Sequence, residues 1–232
     1  VRIQVLCNGM DIQSCFKKAN EIDDYIDAHF DYAFDEKYGY KTTFPTNTGT
    51  GMKAGYTLHL PSLSDARRLN DISAELGRFG LKFRTVYGDG QNGYGNLYQI
   101  STQKTLGQDE REVIKDLDDI VLQIVNQEKE QREHFYKKDK IQMDDEIYKS
   151  YGVLKYARKL SLKDSMVLIS ELMTGISLGV LQFAHNGRYN INELIMDIQP
   201  AVLRQNSGKA MSVAETDVLR AEYIRKYLPE II

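Results

Sequence analysis

The sequence predicts an α+β protein, in which an antiparallel sheet flanked by helices is followed by an all-helical region. Two observations predict this class. Short stretches in the first 102 residues alternate apolar and polar side chains, which is typical of half-buried strands. After residue 140 only helical spacing is found, in segments separated by Gly, Asn and Pro. We therefore divide the chain into residues 1–140 and residues 141–232.

Several stretches of the first region are typical of strands. In residues 2–6, Ile3 and Val5 alternate with polar neighbours. The stretches MKAGYTLHLP, LKFRTVY and LYQIS follow, and the last two flank the glycine-dense loop GDGQNGYGN. We expect those two strands to pair as a hairpin across a long connection.

Helices are expected between and after these strands. Apolar residues fall at helical spacing over residues 14–34 and 109–138. A shorter helix would be capped by Ser62 or Ser64 and end near Gly80. The long helix ends in the charge-rich stretch NQEKEQREHFYKKDK. We expect this end to be solvated, because charges of both signs are mixed there.

Composition excludes several classes of protein. The 232 residues are 42% hydrophobic and 27% charged, which is ordinary for a globular domain. A net charge of -3 gives no general attraction to nucleic acid, and we expect no direct nucleic-acid partner. No run of about 18 apolar residues is present, so we expect no membrane span and a cytoplasmic location.

The remaining bulk features concern cysteine, histidine and the start of the chain. Cys7 and Cys15 are interpreted as reduced thiols in preference to a disulfide or a metal pair. The four histidines form no zinc-ligand spacing with them, and no metal site is expected. Because the chain opens at Val1 without Met, in a strand-like stretch, we expect it to be part of a longer fold.

The stretch TTFPTNTGTGMKAG, at residues 42–55, raises the question of phosphate binding. Consecutive amide groups of a glycine-rich turn can converge on a phosphate oxygen. Lys53 follows this loop, Arg84 precedes the second glycine-rich loop, and Arg2 lies on another predicted strand, so all three could face one polyphosphate. The alternative is that they are surface residues of strands. The patterns GxxxxGKS and GxxxxGKT of P-loop proteins are absent.

Longer strings resemble a known family. GYKTTFPTNTGTGMKAGYTLHLP resembles the family stretch GYLTxCPTNxGTGxRAxxxLHLP, and FRTVYGDG resembles RGIYGEG. LYQISTQKTLGQ resembles FQISNQxTLG, and VRIQ resembles the end of NEEDHxRIQ. With these strings in the same order, the chain resembles the ATP:guanido phosphotransferases, specifically the bacterial protein-arginine kinases of the McsB type. NINELIMDIQPAVL and AETDVLRAEYIR resemble the helical C-terminal domain of that branch, so the resemblance covers nearly the whole chain.

The resemblance implies a fold, an activity and partners. The fold would be the guanido kinase catalytic domain, truncated at its N-terminal side, followed by a helical domain. The activity would be transfer of the γ-phosphoryl group from ATP with Mg²⁺ to arginine in proteins. The implied partners are protein substrates with exposed arginine, a Clp AAA+ protease, a stress-regulon repressor and a zinc-binding activator. The resemblance also implies a homo-oligomer.

The resemblance also assigns site residues. Asp89 takes the place of a Glu that orients the guanidinium, and Phe44 takes the place of the active-site Cys. The implied nucleotide-binding residues are Arg2, Lys53, Ala54, Gly55, Tyr56, Thr57, Arg84, Thr85, Val86, Tyr87, Gly88 and Asp89. The implied phosphoarginine-binding residues are Thr216, Asp217, Arg220 and Ala221.

Departures from the family strings favour an alternative function. Phe44 cannot act as a thiolate, Lys53 lacks the two-pronged geometry of Arg, and Asp89 is one methylene shorter than Glu. Thr216 replaces the first Arg of the phosphoarginine motif that the resemblance implies, and the carboxylates of the family string NEED would precede Val1. We therefore expect the chain alone to be weak or inactive as an enzyme. The alternative is a catalytically inactive homologue that acts as a phosphoarginine- or partner-binding regulatory scaffold.

Overall fold

The computed structural model describes residues 1–88, 93–183 and 190–232, and the chain forms two compact units. The first unit comprises Val1–Val86 and Tyr98–Glu128, and the second comprises Tyr87–Leu97 and Lys129–Ile232. The division after Glu128 falls inside a long helix. A domain boundary at residue 140 remains a prediction.

The elements up to residue 138 combine helices with short strands. The helices are α1 (Ile12–Asp27), α2 (Pro61–Asp65), α3 (Leu69–Arg78) and α4 (Glu110–Lys138), with a 3-10 turn at Pro45–Asn47. The strands are β1 (Phe34–Asp35), β2 (Gly39–Tyr40), β3 (Gly55–His59), β4 (Leu81–Thr85) and β5 (Leu97–Thr102). This mixture confirms the α+β class.

The strands of the described residues form two small sheets. β1 and β2 pair as an antiparallel ribbon, and the larger sheet has the order β3-β5-β4. β4 and β5 are antiparallel, with Leu81 opposite Thr102 at one end and Thr85 opposite Tyr98 at the other. The predicted hairpin is therefore confirmed.

One face of the larger sheet packs in the core of the first unit. In β3 and the residue before it, Ala54, Tyr56 and Leu58 are buried, as the alternation predicts. Phe83 of β4 stacks on Tyr98 of β5 with ring centroids 5.2 Å apart. The predicted apolar stripe of α4 completes this core through Ile114, Leu117, Val121 and Ile124.

The prediction of a strand at residues 2–6 is wrong. Ile3 and Val5 are half-buried while Arg2 and Gln4 are exposed, so the predicted alternation of burial is present. No strand is formed there by the residues that the structure describes. A strand exists only with a neighbour that accepts and donates its backbone hydrogen bonds, and side-chain alternation does not identify that neighbour.

Two helix limits also differ from the prediction. α1 ends at Asp27, because the carbonyl oxygen of Ile26 accepts from the amides of His29 and Phe30, both at 3.0 Å, and turns the chain. Ser62 and Ser64 lie inside α2, whose first position is taken by Pro61, and neither is a cap. The end of α3 near Gly80 is confirmed, and Gly80 has a φ of +72°.

The second unit is helical. Its helices after α4 are α5 (Lys140–Tyr156), α6 (Leu162–Ser177), α7 (Ile191–Asp197), α8 (Pro200–Ser207) and α9 (Val213–Tyr227). The helical spacing predicted after residue 140 is confirmed, and NINELIMDIQPAVL is divided between α7 and α8 because Pro200 starts a new helix. Ser212 caps α9 in a reciprocal arrangement with Glu215. No helix of the described part of the chain combines the length and apolar character that crossing a membrane requires.

The charge-rich end of α4 is less solvated than predicted. Glu128 is 3% exposed and Arg132 is 7% exposed. The Glu128 carboxylate accepts from the amides of Ser62 at 3.0 Å and Leu63 at 2.9 Å. These amides lie in the first turn of α2, where they have no acceptor within the helix. Arg132 donates to the hydroxyl of Ser177. These two charges are buried because each has polar partners.

Candidate functional site

Several amide groups of the loop at residues 42–55 have hydrogen-bond acceptors within the protein. The Gly49 amide donates to the Tyr40 carbonyl at 3.2 Å, and the Thr50 amide donates to the Thr105 carbonyl at 2.8 Å. Three further amides have internal acceptors, namely those of Asn47, Thr48 and Met52. These groups are not free to converge on a phosphate. These contacts hold the turn in shape, and phosphate binding by the loop remains a prediction.

Thr105 fixes the shape of this loop. Its hydroxyl lies 2.7 Å from the carbonyl oxygen of Thr48 and 3.2 Å from that of Thr46, and donates toward both. Gly49 has a φ of +113°, and a Cβ there would lie 2.0 Å from the Thr105 carbonyl oxygen. Only glycine fits at this position, which explains why the glycine-rich string forms a tight structural turn.

Phe44 lies at the start of the 3-10 turn with an extended backbone. Its side chain is 67% exposed. Its carbonyl oxygen accepts from the Thr42 hydroxyl at 2.6 Å and from the Asn47 amide at 2.9 Å. The side-chain oxygen of Asn47 is buried without a hydrogen-bond partner among the described residues. An aromatic ring therefore faces solvent where the resemblance implies a thiol.

The second face of the larger sheet is open to solvent. Lys53, Gly55 and Thr57 are exposed, while the alternate residues of the same stretch are in the core. Arg84 is exposed on β4, and Gln99 opposite it on β5 is half-buried. Successive side chains of a strand point to opposite faces, so Lys53 and Arg84 lie on the same open face. We call this surface the open face.

Other predicted nucleotide-binding residues lie elsewhere. Ala54 and Tyr56 point into the core, where the Tyr56 hydroxyl donates to Asp118. Burial is the larger cause of a raised pKa of Tyr56, and the hydrogen bond to Asp118 is the second cause. Thr85 is half-buried, Val86 is 39% exposed, and Gly88 has a φ of +91°.

Three more of the predicted nucleotide-binding residues are Tyr87, Arg2 and Asp89, and the structure describes the first two. Tyr87 packs against the core of the second unit and stacks on Tyr94. Arg2 is exposed, outside any strand. Asp89 lies outside the described residues.

Two residues of the open face, Lys82 and Gln99, were not among the site residues predicted from the sequence. Lys82 is exposed two positions before Arg84 on β4. Gln99 lies directly opposite Arg84, and its Oε1 accepts from the Arg84 Nε at 2.7 Å. The hairpin was predicted, but its register was not, so the sequence could not place Gln99 opposite Arg84.

The predicted phosphoarginine residues lie together on α9, but they are enclosed. Thr216 and Arg220 are each 2% exposed, and Ala221 is fully buried. The Arg220 guanidinium donates to the carbonyl oxygens of Leu160 at 2.9 Å and Ile198 at 3.0 Å, and to the Asp217 carboxylate at 2.6 Å. The Thr216 hydroxyl donates to the Ser212 carbonyl at 2.8 Å. In this arrangement the guanidinium is used to hold the helical unit together.

Comparison with known proteins assigns the first part of the chain. Residues 1–131 match the family described as ATP:guanido phosphotransferase, C-terminal catalytic domain. The chain belongs to the ATP:guanido phosphotransferase family. Residues 140–231 of this family member match the protein-arginine kinase McsB C-terminal domain.

Two curated relatives give the extent of the similarity. Proteins named protein-arginine kinase from Bacillus pumilus (strain SAFR-032) and Bacillus subtilis (strain 168) are each 40% identical over 228 residues. The alignments cover 98% of this chain and 62% of each relative, so the chain spans less than two thirds of their length. The substrate-free duplicated taurocyamine kinase from Schistosoma mansoni is 29% identical, with a TM-score of 0.41, over 50% of this chain and 15% of the other.

The open face carries positive charge, which suits it to anionic groups such as phosphates. Lys53, Lys82 and Arg84 are exposed cations on one surface, and none has a carboxylate partner among the described residues. Cations on a fixed scaffold position phosphates and neutralise their charge. No group of three or more His, Cys, Asp or Glu in the described ranges could hold a metal ion. Mg²⁺ is commonly bound through the phosphates of a nucleotide.

Proposed function

We propose that the chain functions as a protein-arginine kinase. The observation that carries this proposal is the 40% identity, over 98% of the chain, to proteins with that name. The match of residues 140–231 to the C-terminal domain of the same branch supports it. The acceptor would be an arginine side chain exposed on a protein.

The proposed roles of the chain's residues follow from charge and geometry. Lys53 and Arg84 on the open face, with Arg2, would bind the phosphates and neutralise their charge. Asp89 would accept hydrogen bonds from the substrate guanidinium and hold its nitrogen in line. ATP supplies the phosphoryl group when it is bound with Mg²⁺.

The wider setting is part of the proposal. We place the activity in the cytoplasm, in stress-related protein quality control linked to a Clp AAA+ protease. A stress-regulon repressor would be one substrate, a zinc-binding protein would be an activator, and the kinase would be a homo-oligomer. These partners rest on the match to the branch-specific C-terminal domain.

One observation favours a second candidate function. By the resemblance, the exposed ring of Phe44 takes the place of the family's Cys, and an aromatic ring can neither accept a hydrogen bond from a guanidinium in the way a thiolate does nor deprotonate it. A chain with this change would act as an inactive scaffold that binds partners or phosphoarginine. In that role Arg220 would be a structural residue, and a ligand would need to displace one of its present acceptors.

A paired measurement separates the two functions. Mg-ADP binding is measured by titration calorimetry, and phosphoryl transfer from labelled ATP to an arginine-containing protein is measured in parallel in the full-length protein. Transfer by the unmodified protein supports the kinase and eliminates the scaffold. No transfer, with transfer appearing only in the Phe44→Cys, Lys53→Arg variant, supports the scaffold. Lys115→Arg, an exposed change on α4, is the control.

A further inference from the structure

The side chains of Arg84 and Gln99 form a defined pair on the open face. They are directly opposite each other in the antiparallel ladder of β4 and β5. The Arg84 Nε donates to the Gln99 Oε1 at 2.7 Å, a short distance for a hydrogen bond of this kind. The contact joins one side chain to another and does not use the backbone.

This pairing uses one edge of the guanidinium and leaves the other edge free. A guanidinium has five N–H donors in a fixed plane, one on Nε and four on the two Nη atoms. Among the described residues, the Nε contact with Gln99 is the hydrogen bond that Arg84 makes. The two Nη groups therefore remain available for paired hydrogen bonds with phosphate or carboxylate oxygens.

A fixed guanidinium binds an anion at a lower entropic cost than a mobile one. An exposed arginine loses rotamer freedom when it binds a ligand, and ordering a side chain of this kind weakens binding measurably. Because Gln99 already holds Nε, part of this ordering is complete before any ligand arrives. The neutral amide does so without cancelling the positive charge, which a carboxylate in its place would do.

We propose that Gln99 is a positioning residue that orients the Arg84 guanidinium for the phosphates of the nucleotide. This inference rests on the proposed kinase function and adds a specific residue to it. Gln99 itself does not need to touch the nucleotide. Its contribution passes entirely through Arg84, so its effect depends on an arginine at that position.

The experiment is a double-mutant cycle with Mg-ADP as the probe. Affinity is measured by titration calorimetry for the unmodified chain, Gln99→Leu, Arg84→Lys and the double variant. Gln99→Leu should bind Mg-ADP about threefold to tenfold more weakly, the range expected for one unrestrained side chain. With lysine at position 84 there is no Nε–H fork to orient, so adding Gln99→Leu should change the affinity less than about twofold. Gln123→Leu, an exposed glutamine on α4, should bind like the unmodified chain.

The outcomes distinguish this proposal from the proposed function. If the unmodified chain does not bind Mg-ADP, both the nucleotide site and the role of Gln99 are overturned. If it binds and Gln99→Leu binds equally well, only the positioning role is overturned. The same conclusion follows if Gln99→Leu loses equal affinity with and without the Arg84→Lys change.

A second measurement needs no nucleotide and uses only the unmodified chain, so it does not depend on whether a variant folds. Solvent exchange of the Arg84 Nε–H, followed by NMR in the unmodified chain, should be slower than that of Arg78, an exposed arginine at the end of α3. Equal exchange at the two arginines would contradict the pairing.

Discussion

Arg220 and Asp217 form an ion pair one helical turn apart on α9, with 2.6 Å between Nη1 and Oδ1. The arginine side chain is 2% exposed and that of the aspartate is 13% exposed. The same guanidinium donates to carbonyl oxygens at Leu160 and Ile198, one residue before the cap of α6 and one after α7. A single side chain therefore joins three segments of the helical unit.

Replacing this arginine should destabilise the helical unit. Arg220→Met leaves the largely buried Asp217 carboxylate without its partner and leaves two carbonyl oxygens without this donor. Breaking a buried ion pair in this way costs about 3 to 5 kcal/mol of unfolding free energy. Urea unfolding would measure the loss. Arg204→Met, at an exposed position of α8, should change it by less than about 0.5 kcal/mol. Equal stability of the two variants would show that Arg220 is not a structural residue.

Gly49 offers a test of the loop that holds Phe44. In Gly49→Ala the new Cβ would lie 2.0 Å from the Thr105 carbonyl oxygen. Gly107 also has a positive φ, of +75°, but a Cβ there meets nothing within 4 Å. Gly107→Ala should therefore cost about 1 to 2 kcal/mol for its backbone conformation alone. Gly49→Ala should cost at least about 2 kcal/mol more. Thermal unfolding would measure both, and similar losses would disprove the close contact.

The thiol of Cys15 should react slowly. Burial, together with the neighbouring Cys7 thiol, raises the pKa of Cys15 from 9.0 to about 11. Because the thiolate is the nucleophile, alkylation by iodoacetamide at pH 8 should be roughly tenfold to a hundredfold slower in the folded chain than in urea. Peptide mass spectrometry would locate the label. In Cys7→Ala the folded-state rate should rise, since one cause of the raised pKa is removed.

The same shift predicts a dependence of stability on pH. The folded-state pKa of Cys15 is raised, so the folded chain favours the protonated thiol more than the unfolded chain does. This stabilisation is fully present below about pH 9 and is lost as the pH rises through about 11. Unfolding free energies of the unmodified chain and Cys15→Ser, compared between pH 8 and pH 11, should converge at the higher pH. A constant difference would contradict the shift.

Asp89 provides a test of the proposed chemistry. Asp89→Asn should lower the rate of phosphoryl transfer about 10²-fold, because an amide holds the guanidinium less well than a carboxylate. Affinity for Mg-ADP should stay nearly unchanged, since the residue is proposed to act on the acceptor. Rapid-quench kinetics would give the rate and calorimetry the affinity. An unaltered rate would remove Asp89 from the mechanism.

Local patterns predicted the elements of this fold well. The alternation around Tyr56 and Leu58 gave the buried face of β3, and helical spacing gave the stripe of α4 that includes Leu117 and Val121. These features depend on neighbours within a few residues. The spacing of apolar residues along a helix or strand indicates which of its sides faces the core.

Contacts between distant residues could not be predicted. Thr105 holds the loop through Thr48, which is 57 positions away, and Arg220 donates to the carbonyl of Leu160 across 60 positions. Neither acceptor is identified by its side chain, because both are backbone carbonyls. Arg220 also looks like an ordinary surface arginine of an amphipathic helix, and only the packing of three segments buries it. The resemblance assigned these residues to a phosphoarginine site, which remains a prediction, and it did not predict their burial.

The loop that carries Phe44 keeps its shape through backbone contacts, through the hydroxyls of Thr42 and Thr50, and through the hydroxyl of Thr105 outside it. The side chains of Thr43 and Phe44 are exposed, and Phe44 contributes to that shape through its main-chain carbonyl. Evolution can therefore exchange the chemistry displayed at these positions without disturbing the turn beneath. The same independence makes the loop a suitable place to graft new side chains, with Gly49 and Thr105 left in place as its permanent frame.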